Sequence, residues 1–426
     1  MAEEIKQEGK DFQGGRSRKR LNAAKEATAL NREYNAKMWD DIAKGEQFIF
    51  GYGPMELFNS MGLYMVLPVT YGSVLAAKQM YNYYQGRLEE EGYFSSLSGY
   101  DTLALGYCFD KKPEIAPYGG LPKPSAIVAG FVAETATYEL YAREMGCPIY
   151  FMEDPYRQAK IPPRWWEETE WRDPKIIDFC VKELEGCVRF LESVTGKRYS
   201  DAKLREYLDR ADEMAEYYWK IADLACTTIP APISATDCYS EVAVYETHFG
   251  DEWALEHVKK FYAEVKERVD NGESVCAEEK VRLLWISTPL WFNLGFYNQW
   301  EESHGAVFLE TLYLPRGQFM IQHDRSNPLR ANFLRRHMKY SGPSPMAAAE
   351  LVIDQVRRYK ADGVVIPNRG ASRDPQANSL FVAELLKRAG IPVLTLDYQP
   401  LNSRSWDDVK MKAIVTEFIE SLKPQR

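Results

Sequence analysis

The chain has 426 residues, of which 45% are hydrophobic, 27% charged and 13% aromatic. This profile is typical of a soluble globular protein, and the length corresponds to two or three domains. The formal net charge of -9 argues against a general affinity for the nucleic-acid backbone, which requires a basic surface. No apolar run approaches the ~18 residues of a membrane span, and the N-terminus lacks the apolar core of a signal peptide. We therefore expect a cytoplasmic protein that binds neither nucleic acid nor membranes.

Residues 1–45 form a polar, highly charged segment. Its second half has a helical pattern whose apolar positions are Ala24, Ala27, Leu30, Tyr34 and Met38. A basic cluster precedes this pattern and consists of Arg16, Arg18, Lys19 and Arg20. In a chain that is acidic overall, the cluster favours a solvated arm that docks on a partner over a contact with RNA or acidic lipid. The segment is therefore predicted to be a helical N-terminal arm.

Residues 46–165 alternate between predicted strands and helices. The predicted strands are 48–50, 63–69, 126–129 and 148–152. A helical stretch, 135–145, separates the last two, and a Gly-Tyr-Gly-Pro turn after the first strand leads into a helix near residue 55. Strands that alternate with helices of about ten residues or more indicate a parallel sheet covered by helices.

Residues 166–280 have a different pattern. Apolar residues recur every three or four positions in three long runs, 174–194, 204–225 and 255–269. Helices that are apolar on one side pack against a larger body. This part is therefore predicted to be a helical region.

From residue 281 the alternation resumes. The predicted strands are 282–286, 306–309, 363–367 and 392–397, and helices are predicted from the first of these to about 303, then at 346–359, 382–389 and 406–422. The predicted fold class is therefore α/β, with two doubly wound parallel-sheet lobes, 46–165 and 281–426. A helical insert, 166–280, lies between them, and the N-terminal helical arm precedes them.

Common nucleotide, protease and hydrolase signatures do not occur in the sequence. There is no G-x-x-x-x-G-K-[ST], H-E-x-x-H or G-x-S-x-G motif, and Gly51-Tyr52-Gly53 lacks the third glycine of a dinucleotide fingerprint. The five histidines show no metal-ligand spacing, and the seven cysteines include no C-x-x-C pair. Cys180 and Cys187 lie on an apolar helical stripe, where cysteine is expected to act as a small hydrophobe.

Loops that follow predicted strands are the strongest candidates for a site, because open α/β sheets bind ligands at the carboxyl ends of their strands. Segment 368–373 contains Asn368, Arg369, Gly370 and Arg373. Its glycine allows a ligand to approach the backbone, and its arginines can bind phosphate or carboxylate groups. A binding role is favoured here over a solvated turn.

Two further loops are weaker candidates. In segment 52–56, ordinary helix capping accounts for both Pro54 and Glu56 and is the favoured interpretation. Glu134, after the third predicted strand, can be a ligand or a base, or it can complement the dipole of the following helix.

Several short motifs follow one another along most of the chain. They are Pro54-Met55-Glu56-Leu57 with Gly62 and Pro68, Gly99-Tyr100 with Leu105-Gly106-Tyr107, Ala142-Arg143-Glu144 with Pro148, Leu204-Arg205-Glu206-Tyr207-Leu208, Pro230 with Pro232, Asn368-Arg369-Gly370, and Asp397 through Arg404. In this order and spacing they resemble the 2-hydroxyacyl-CoA dehydratase family, which includes the core subunits of ATP-dependent benzoyl-CoA reductases. The overall likeness is greatest to a benzoyl-CoA reductase subunit.

The resemblance implies a fold and a chemistry. Members of this family have two α/β lobes with a helical part, work as pairs of related subunits, and typically hold an iron–sulfur cluster through three cysteines. An ATP-driven activator delivers one electron at very low potential. The CoA thioester is then reduced to a radical, and either water is lost or the ring is reduced.

The sequence departs from this family at the cluster. The positions that match the three ligand cysteines are Ser98, a position near Glu134, and Ala371, and none of them is cysteine. Iron in such clusters requires thiolate ligands. We therefore expect no metal on this chain and a [4Fe-4S] cluster on a homologous partner subunit, with ATP used by separate activator subunits. The alternative is that other cysteines of this chain hold the cluster.

The leading functional expectation is a subunit of a hetero-oligomeric benzoyl-CoA reductase, an oxidoreductase of anaerobic aromatic degradation. The alternatives are a subunit of an (R)-2-hydroxyacyl-CoA dehydratase, a cluster-free scaffold subunit, and an unrelated α/β enzyme that uses Glu134 with a histidine. The sequence identifies no catalytic residue. Arginines are expected to bind the CoA phosphates or the thioester region, and Tyr52 and Glu56 to line the mouth of the site. The full set of expected substrate-binding residues is Tyr52, Glu56, Asn368, Arg369, Arg373 and Arg404.

Overall fold

The computed structural model describes residues 14–93, 99–130, 135–153, 164–167, 173–309, 324–337, 344–368 and 379–422. Within those ranges, none of the helices combines the length and the apolar character that crossing a bilayer requires. The strands are β1 (Phe48–Tyr52), β2 (Tyr64–Val66), β3 (Ala126–Gly130), β4 (Ile149–Met152), β5 (Val281–Trp285), β6 (Ala306–Leu309), β7 (Gly363–Asn368) and β8 (Val393–Asp397).

The α-helices of the described ranges follow in chain order. They are α1 (Asn22–Ile42), α2 (Met55–Ser60), α3 (Pro68–Ala77), α4 (Tyr81–Glu90), α5 (Gly99–Asp110), α6 (Thr135–Met145), α7 (Pro174–Thr195), α8 (Asp201–Thr227), α9 (Ala235–Cys238), α10 (Val242–Thr247), α11 (Glu252–Asp270), α12 (Pro328–His337), α13 (Pro345–Tyr359), α14 (Ser379–Arg388) and α15 (Asp408–Ser421).

The strands form two parallel sheets of the same topology. The first sheet has the order β2-β1-β3-β4, and the second has the order β6-β5-β7-β8. In both, the first strand lies between the second and the third, as in doubly wound folds. β1, β3, β5 and β7 are almost entirely buried, which explains why they read as continuous apolar runs. The predicted α/β class with two parallel-sheet lobes is confirmed.

The helical region also matches its sequence pattern. The three periodic runs correspond to α7, α8 and α11. Asp173 caps α7 by accepting a hydrogen bond from the Lys175 amide, and Ser200 caps α8 through the Lys203 amide. These caps satisfy amide groups that have no partner within the first helical turn.

Two predicted elements differ from the structure. The strand predicted at 63–69 is shorter, because Pro68 begins α3 and its ring favours the first turn of a helix. The helix predicted between β5 and residue 303 is wrong. The chain instead forms a 3₁₀ segment, Trp291–Asn298, whose regularity is broken at Asn293. The N-terminal arm reaches this segment, and a Cβ on Gly295 would lie 2.2 Å from the Gly15 oxygen.

Helix α12 belongs by sequence to the second lobe but packs in the core of the first. It contacts α7, α8 and α2. Its buried residues share one apolar cluster with Ile49 and Val128 of the first lobe and Leu184 of the helical region. These α12 residues are Ala331, Phe333 and Leu334. The two lobes are therefore interlocked rather than consecutive along the chain.

The N-terminal arm docks on its own chain. The Gly15 amide donates to Asn293 Oδ1 at 3.0 Å, and Arg20 forms an ion pair of 2.7 Å with the buried Glu301. Arg18 pairs with Glu302. The expectation of a solvated arm is therefore wrong for Arg20, whose charge pairs with a buried carboxylate of the same chain. Docking of the arm on a partner stays a prediction.

Helix α1 takes its cap from another helix. Glu264 of α11 accepts hydrogen bonds from the Asn22 and Ala23 amides at 2.7 and 2.8 Å. A carboxylate at this position satisfies two first-turn amides and complements the helix dipole. The cap therefore ties the arm to the helical region.

A buried histidine joins the same elements. His257 Nδ1 lies 3.1 Å from Glu26 of α1, and Nε2 lies 3.0 Å from Glu241, which also accepts a hydrogen bond from Tyr218. Burial alone would lower the pKa of His257, but the hydrogen bonds and charges of Glu241 and Glu26 outweigh it and raise this pKa. With a carboxylate at each ring nitrogen, the doubly protonated form is favoured.

We predict a specific pH dependence from this histidine. Its folded-state pKa is raised, so its stabilisation is complete below the unfolded-state value of about 6.5 and is lost as pH rises through the folded-state pKa. The unfolding free energy of the wild type should therefore decrease as pH rises from about 6.5 through the folded-state pKa. In His257→Gln this decrease should be smaller. Urea unfolding at several pH values measures this, with His304→Gln as the control. An unchanged slope in His257→Gln would contradict the assignment.

Candidate functional site

The carboxyl edge of the second sheet meets the start of α5. Trp291, which follows β5, donates from Nε1 to the Tyr100 hydroxyl at 2.7 Å. Leu401, which follows β8, packs against Gly99, where a Cβ would lie 3.3 Å from the Leu401 Cβ. The start of α5 thus lies at the carboxyl edge of the second sheet, where such sheets bind ligands.

Glu56 lies in a buried polar network beneath α12. It is the second residue of α2, directly after the carboxyl end of β1, and is 4% exposed. Asn332 Nδ2 donates to Glu56 Oε2 at 3.2 Å, and Arg335 Nε lies 3.6 Å from Glu56 Oε1. Glu56 therefore does more than cap its helix, and it lies beneath α12 rather than at an open mouth because Arg335 and Asn332 cover it.

Arg335 extends this network to α8. Its guanidinium pairs with Asp212 and donates to the Ala211 carbonyl, and Arg325 pairs with the same Asp212 carboxylate. Burial raises the pKa of Asp212, and the two guanidinium groups oppose that rise. Arg335 thus bridges two carboxylates from different helices, and Asp212 bridges two guanidinium groups.

Tyr52 and Asn368 each end an inner strand, one in each sheet. Each is the last residue of its strand, Tyr52 in β1 and Asn368 in β7. Asn368 Nδ2 donates to Asp397 Oδ1 at 2.6 Å, across the register pair of β7 and β8. Both side chains therefore lie at the carboxyl edges where α/β sheets bind ligands.

Arg404 links the lobes. It lies in a short 3₁₀ turn, Ser403–Ser405, and pairs with Glu89 of α4 at 2.8 Å. Its Nε also donates to Asn82 Oδ1. Glu56 and Arg404 thus take their partners from different elements, so these two predicted site residues belong to separate polar networks.

Five other predicted positions lie outside the described residues. They are Arg369, Arg373, Ser98, Glu134 and Ala371. Their roles stay predictions. Asn332, Arg335 and Asp212 were not predicted as site residues. No sequence pattern identified α12, which carries the first two, and nothing in the sequence of α8 distinguishes Asp212 from its other acidic residues.

The cysteines do not fit an iron–sulfur site. All seven lie in described ranges, six of them are buried, and none forms a disulfide. Burial raises the pKa of the Cys147 thiol to about 11 and that of Cys276 to about 12, so neither is a reactive thiolate at neutral pH. Among the residues that the structure describes, no three or more His, Cys, Asp or Glu side chains gather into a group able to hold a metal ion.

The family model described as 2-hydroxyglutaryl-CoA dehydratase, D-component, matches residues 51–422. The chain belongs to the 2-hydroxyacyl-CoA dehydratase family. The matched range includes the second sheet, the first sheet except the start of β1, the helical region and α12, so the resemblance inferred from the motifs is confirmed.

Curated relatives of this dehydratase family are similar at low identity. The (R)-phenyllactyl-CoA dehydratase alpha subunit of Clostridium sporogenes is 22% identical over 365 residues, which cover 84% of each chain. The (R)-2-hydroxyisocaproyl-CoA dehydratase alpha subunit of Clostridioides difficile is 20% identical over 68% of each chain. The (R)-2-hydroxyglutaryl-CoA dehydratase subunit alpha of Acidaminococcus fermentans is 21% identical over 68% of this chain and 58% of its own length.

We predict that the shared carboxylate of the Glu56 network is important for stability. Asp212→Asn should lower the unfolding free energy by about 3 kcal/mol, because it leaves two partly buried guanidinium groups with less compensating charge. Asp209→Asn is the matched control: it also contacts Arg325, at 3.4 Å, but its side chain is 71% exposed. The control should change stability by less than about 1 kcal/mol. Urea unfolding measures both, and equal effects would refute the prediction.

Proposed function

We propose that this chain is a subunit of a heteromeric (R)-2-hydroxyacyl-CoA dehydratase, a lyase that removes water from a CoA thioester. The observation that carries this proposal is the family match over residues 51–422, which extends through both sheets. The relatives described above support it, because all three are named as alpha subunits of such dehydratases.

Ring reduction of benzoyl-CoA, the leading expectation from the motifs, becomes the second candidate. The curated relatives favour dehydration, and the motif likeness favours ring reduction. The two candidates share a CoA thioester, a partner subunit and an activator, so one purified complex can distinguish them.

We further propose that the partner subunit holds a [4Fe-4S] cluster, to which a separate activator that uses ATP would deliver one low-potential electron. Because loss of water is redox-neutral, this electron is returned and not consumed. The support is the lack of cysteine at the three positions that match the family's cluster ligands. In this arrangement the present chain contributes substrate contacts: Tyr52, Glu56 and Asn368 at the strand ends, and Arg369, Arg373 and Arg404 toward the phosphates.

The experiment is an anaerobic purification of this chain alone and together with a related chain that keeps the three cysteines. Iron and sulfide analysis should find no stoichiometric cluster on the isolated chain. With activator and ATP, the pair should convert an (R)-2-hydroxyacyl-CoA to the enoyl-CoA and leave benzoyl-CoA unchanged.

Each part of the proposal can fail separately. An isolated chain with stoichiometric iron would overturn the assignment of the cluster to the partner. A pair that reduces benzoyl-CoA and does not dehydrate a hydroxyacyl-CoA would overturn the dehydratase assignment. A partner that has full activity and affinity without this chain would show that the chain is a scaffold.

We predict that Arg404 contacts the phosphate part of the substrate. Arg404→Ala should weaken the affinity of the complex for the CoA thioester about tenfold, as for the loss of one charged hydrogen bond. The affinity for the matching pantetheine thioester, which lacks the nucleotide phosphates, should not change. Glu89→Gln is the control, because it breaks the same ion pair but keeps the guanidinium. If both variants weaken CoA binding equally, Arg404 only ties the lobes together.

A further inference from the structure

The N-terminal arm lies along the 3₁₀ segment that follows β5. The Gly15 amide donates to Asn293 Oδ1 at 3.0 Å, and the Gly295 amide donates to the Gly15 carbonyl at 3.1 Å. Further along, the Arg18 amide donates to Asn298 Oδ1 at 2.8 Å. The arm is therefore hydrogen-bonded both to the middle and to the end of this segment.

The segment depends on such outside contacts for its position. A 3₁₀-helix has poorer hydrogen-bond geometry than an α-helix and seldom continues beyond about four residues. This one spans 8 residues, and its regularity is broken at Asn293, whose φ of -144° and ψ of 60° are not helical. Asn293 is 1% exposed, and its Nδ2 donates to Asp408 Oδ1 of α15 at 3.0 Å. The side chain at the break thus joins the arm to α15.

The arm approaches the segment so closely that one position requires glycine. A Cβ on Gly14 would lie 2.5 Å from the Phe292 carbonyl oxygen and 3.0 Å from Asn293 Cα. A Cβ on Gly15 would meet its nearest atoms, in Gly295, at 3.8 Å, which is an ordinary van der Waals contact. Docking of the arm therefore excludes a side chain at the first glycine and tolerates one at the second.

The segment also reaches the edge where the second sheet is expected to bind ligands. Its first residue is Trp291, whose amide donates to the carbonyl of Pro400, after β8, at 3.1 Å. The indole of Trp291 donates to the Tyr100 hydroxyl at the start of α5. A displacement of the segment would therefore move Trp291 and change its contact with Tyr100 at this edge.

We propose that the N-terminal arm is a strap that holds segment 291–298 and thereby positions Trp291 and Tyr100 at the carboxyl edge of the second sheet. The arm precedes the residues that the family model matches, 51–422, so the strap is an addition to the matched part of the chain. Its effect on substrate binding rests on the proposed function, which places a CoA thioester at this edge. Its effect on the segment does not.

The two neighbouring glycines provide a matched pair of variants. Gly14→Ala should displace the arm from the segment, and Gly15→Ala is the control, with the same change one residue away. Hydrogen–deuterium exchange of the full chain is measured by mass spectrometry. The Trp291 amide is the decisive reporter, because its hydrogen bond goes to Pro400 and not to the arm. It should exchange about tenfold faster in Gly14→Ala, as for the loss of one hydrogen bond, and at the wild-type rate in Gly15→Ala.

A deletion of residues 2–16 removes the same contacts without pressing a methyl group against Phe292. It keeps Arg20 and its ion pair with Glu301, and unchanged exchange in α7 would show that the chain is folded. The deletion should speed exchange at Trp291 as Gly14→Ala does. In the assembled complex, without activator or ATP, both variants should bind the CoA thioester at least about threefold more weakly than the wild type, measured by calorimetry.

The outcomes separate this inference from the proposed function. If Trp291 exchanges at the wild-type rate in both Gly14→Ala and the deletion, or as fast in Gly15→Ala as in Gly14→Ala, the inference fails. Faster exchange with an unchanged thioester affinity also overturns it, because the arm then does not position the binding edge. A wild-type complex that binds no CoA thioester would refute the proposed function, and the exchange rates would still decide whether the arm holds the segment.

Discussion

Arg335 is the residue on which the arrangement of the two lobes around Glu56 depends. Its guanidinium joins a carboxylate of α2 to a carboxylate of α8, and it is supplied by α12 from the other half of the sequence. Removing one member of a buried charged set leaves the others uncompensated, which is costly in a low-dielectric interior. The network therefore fixes α12 over the carboxyl end of β1 and gives Glu56 a defined position.

The sequence predicts those elements of the fold whose pattern is set by residues close together in the chain. The strands β1, β3, β5 and β7 were predicted from continuous apolar runs, and α7, α8 and α11 from their spacing, since burial of one side of an element imposes these patterns directly. The family was identified in the same way, from motifs whose order along the chain is visible without a structure.

The long-range contacts could not be predicted in this way. Asn332 and Glu56 are 276 residues apart, and Arg335 and Asp212 are 123 residues apart. No periodicity links such positions, so Glu56 was interpreted as a helix-capping residue and its partners were missed. The basic cluster of the arm was assigned to an external partner for the same reason, because its acidic partners Glu301 and Glu302 are distant in sequence.

The docking of the N-terminal arm has a consequence for synthesis on the ribosome. Gly15 and Arg20 are translated about 280 residues before their partners Asn293 and Glu301. The arm therefore lacks these contacts until β5 and the residues that follow it have been translated. Docking of the arm on the second half of the chain is thus a late step of folding, which can occur only after translation has passed β5.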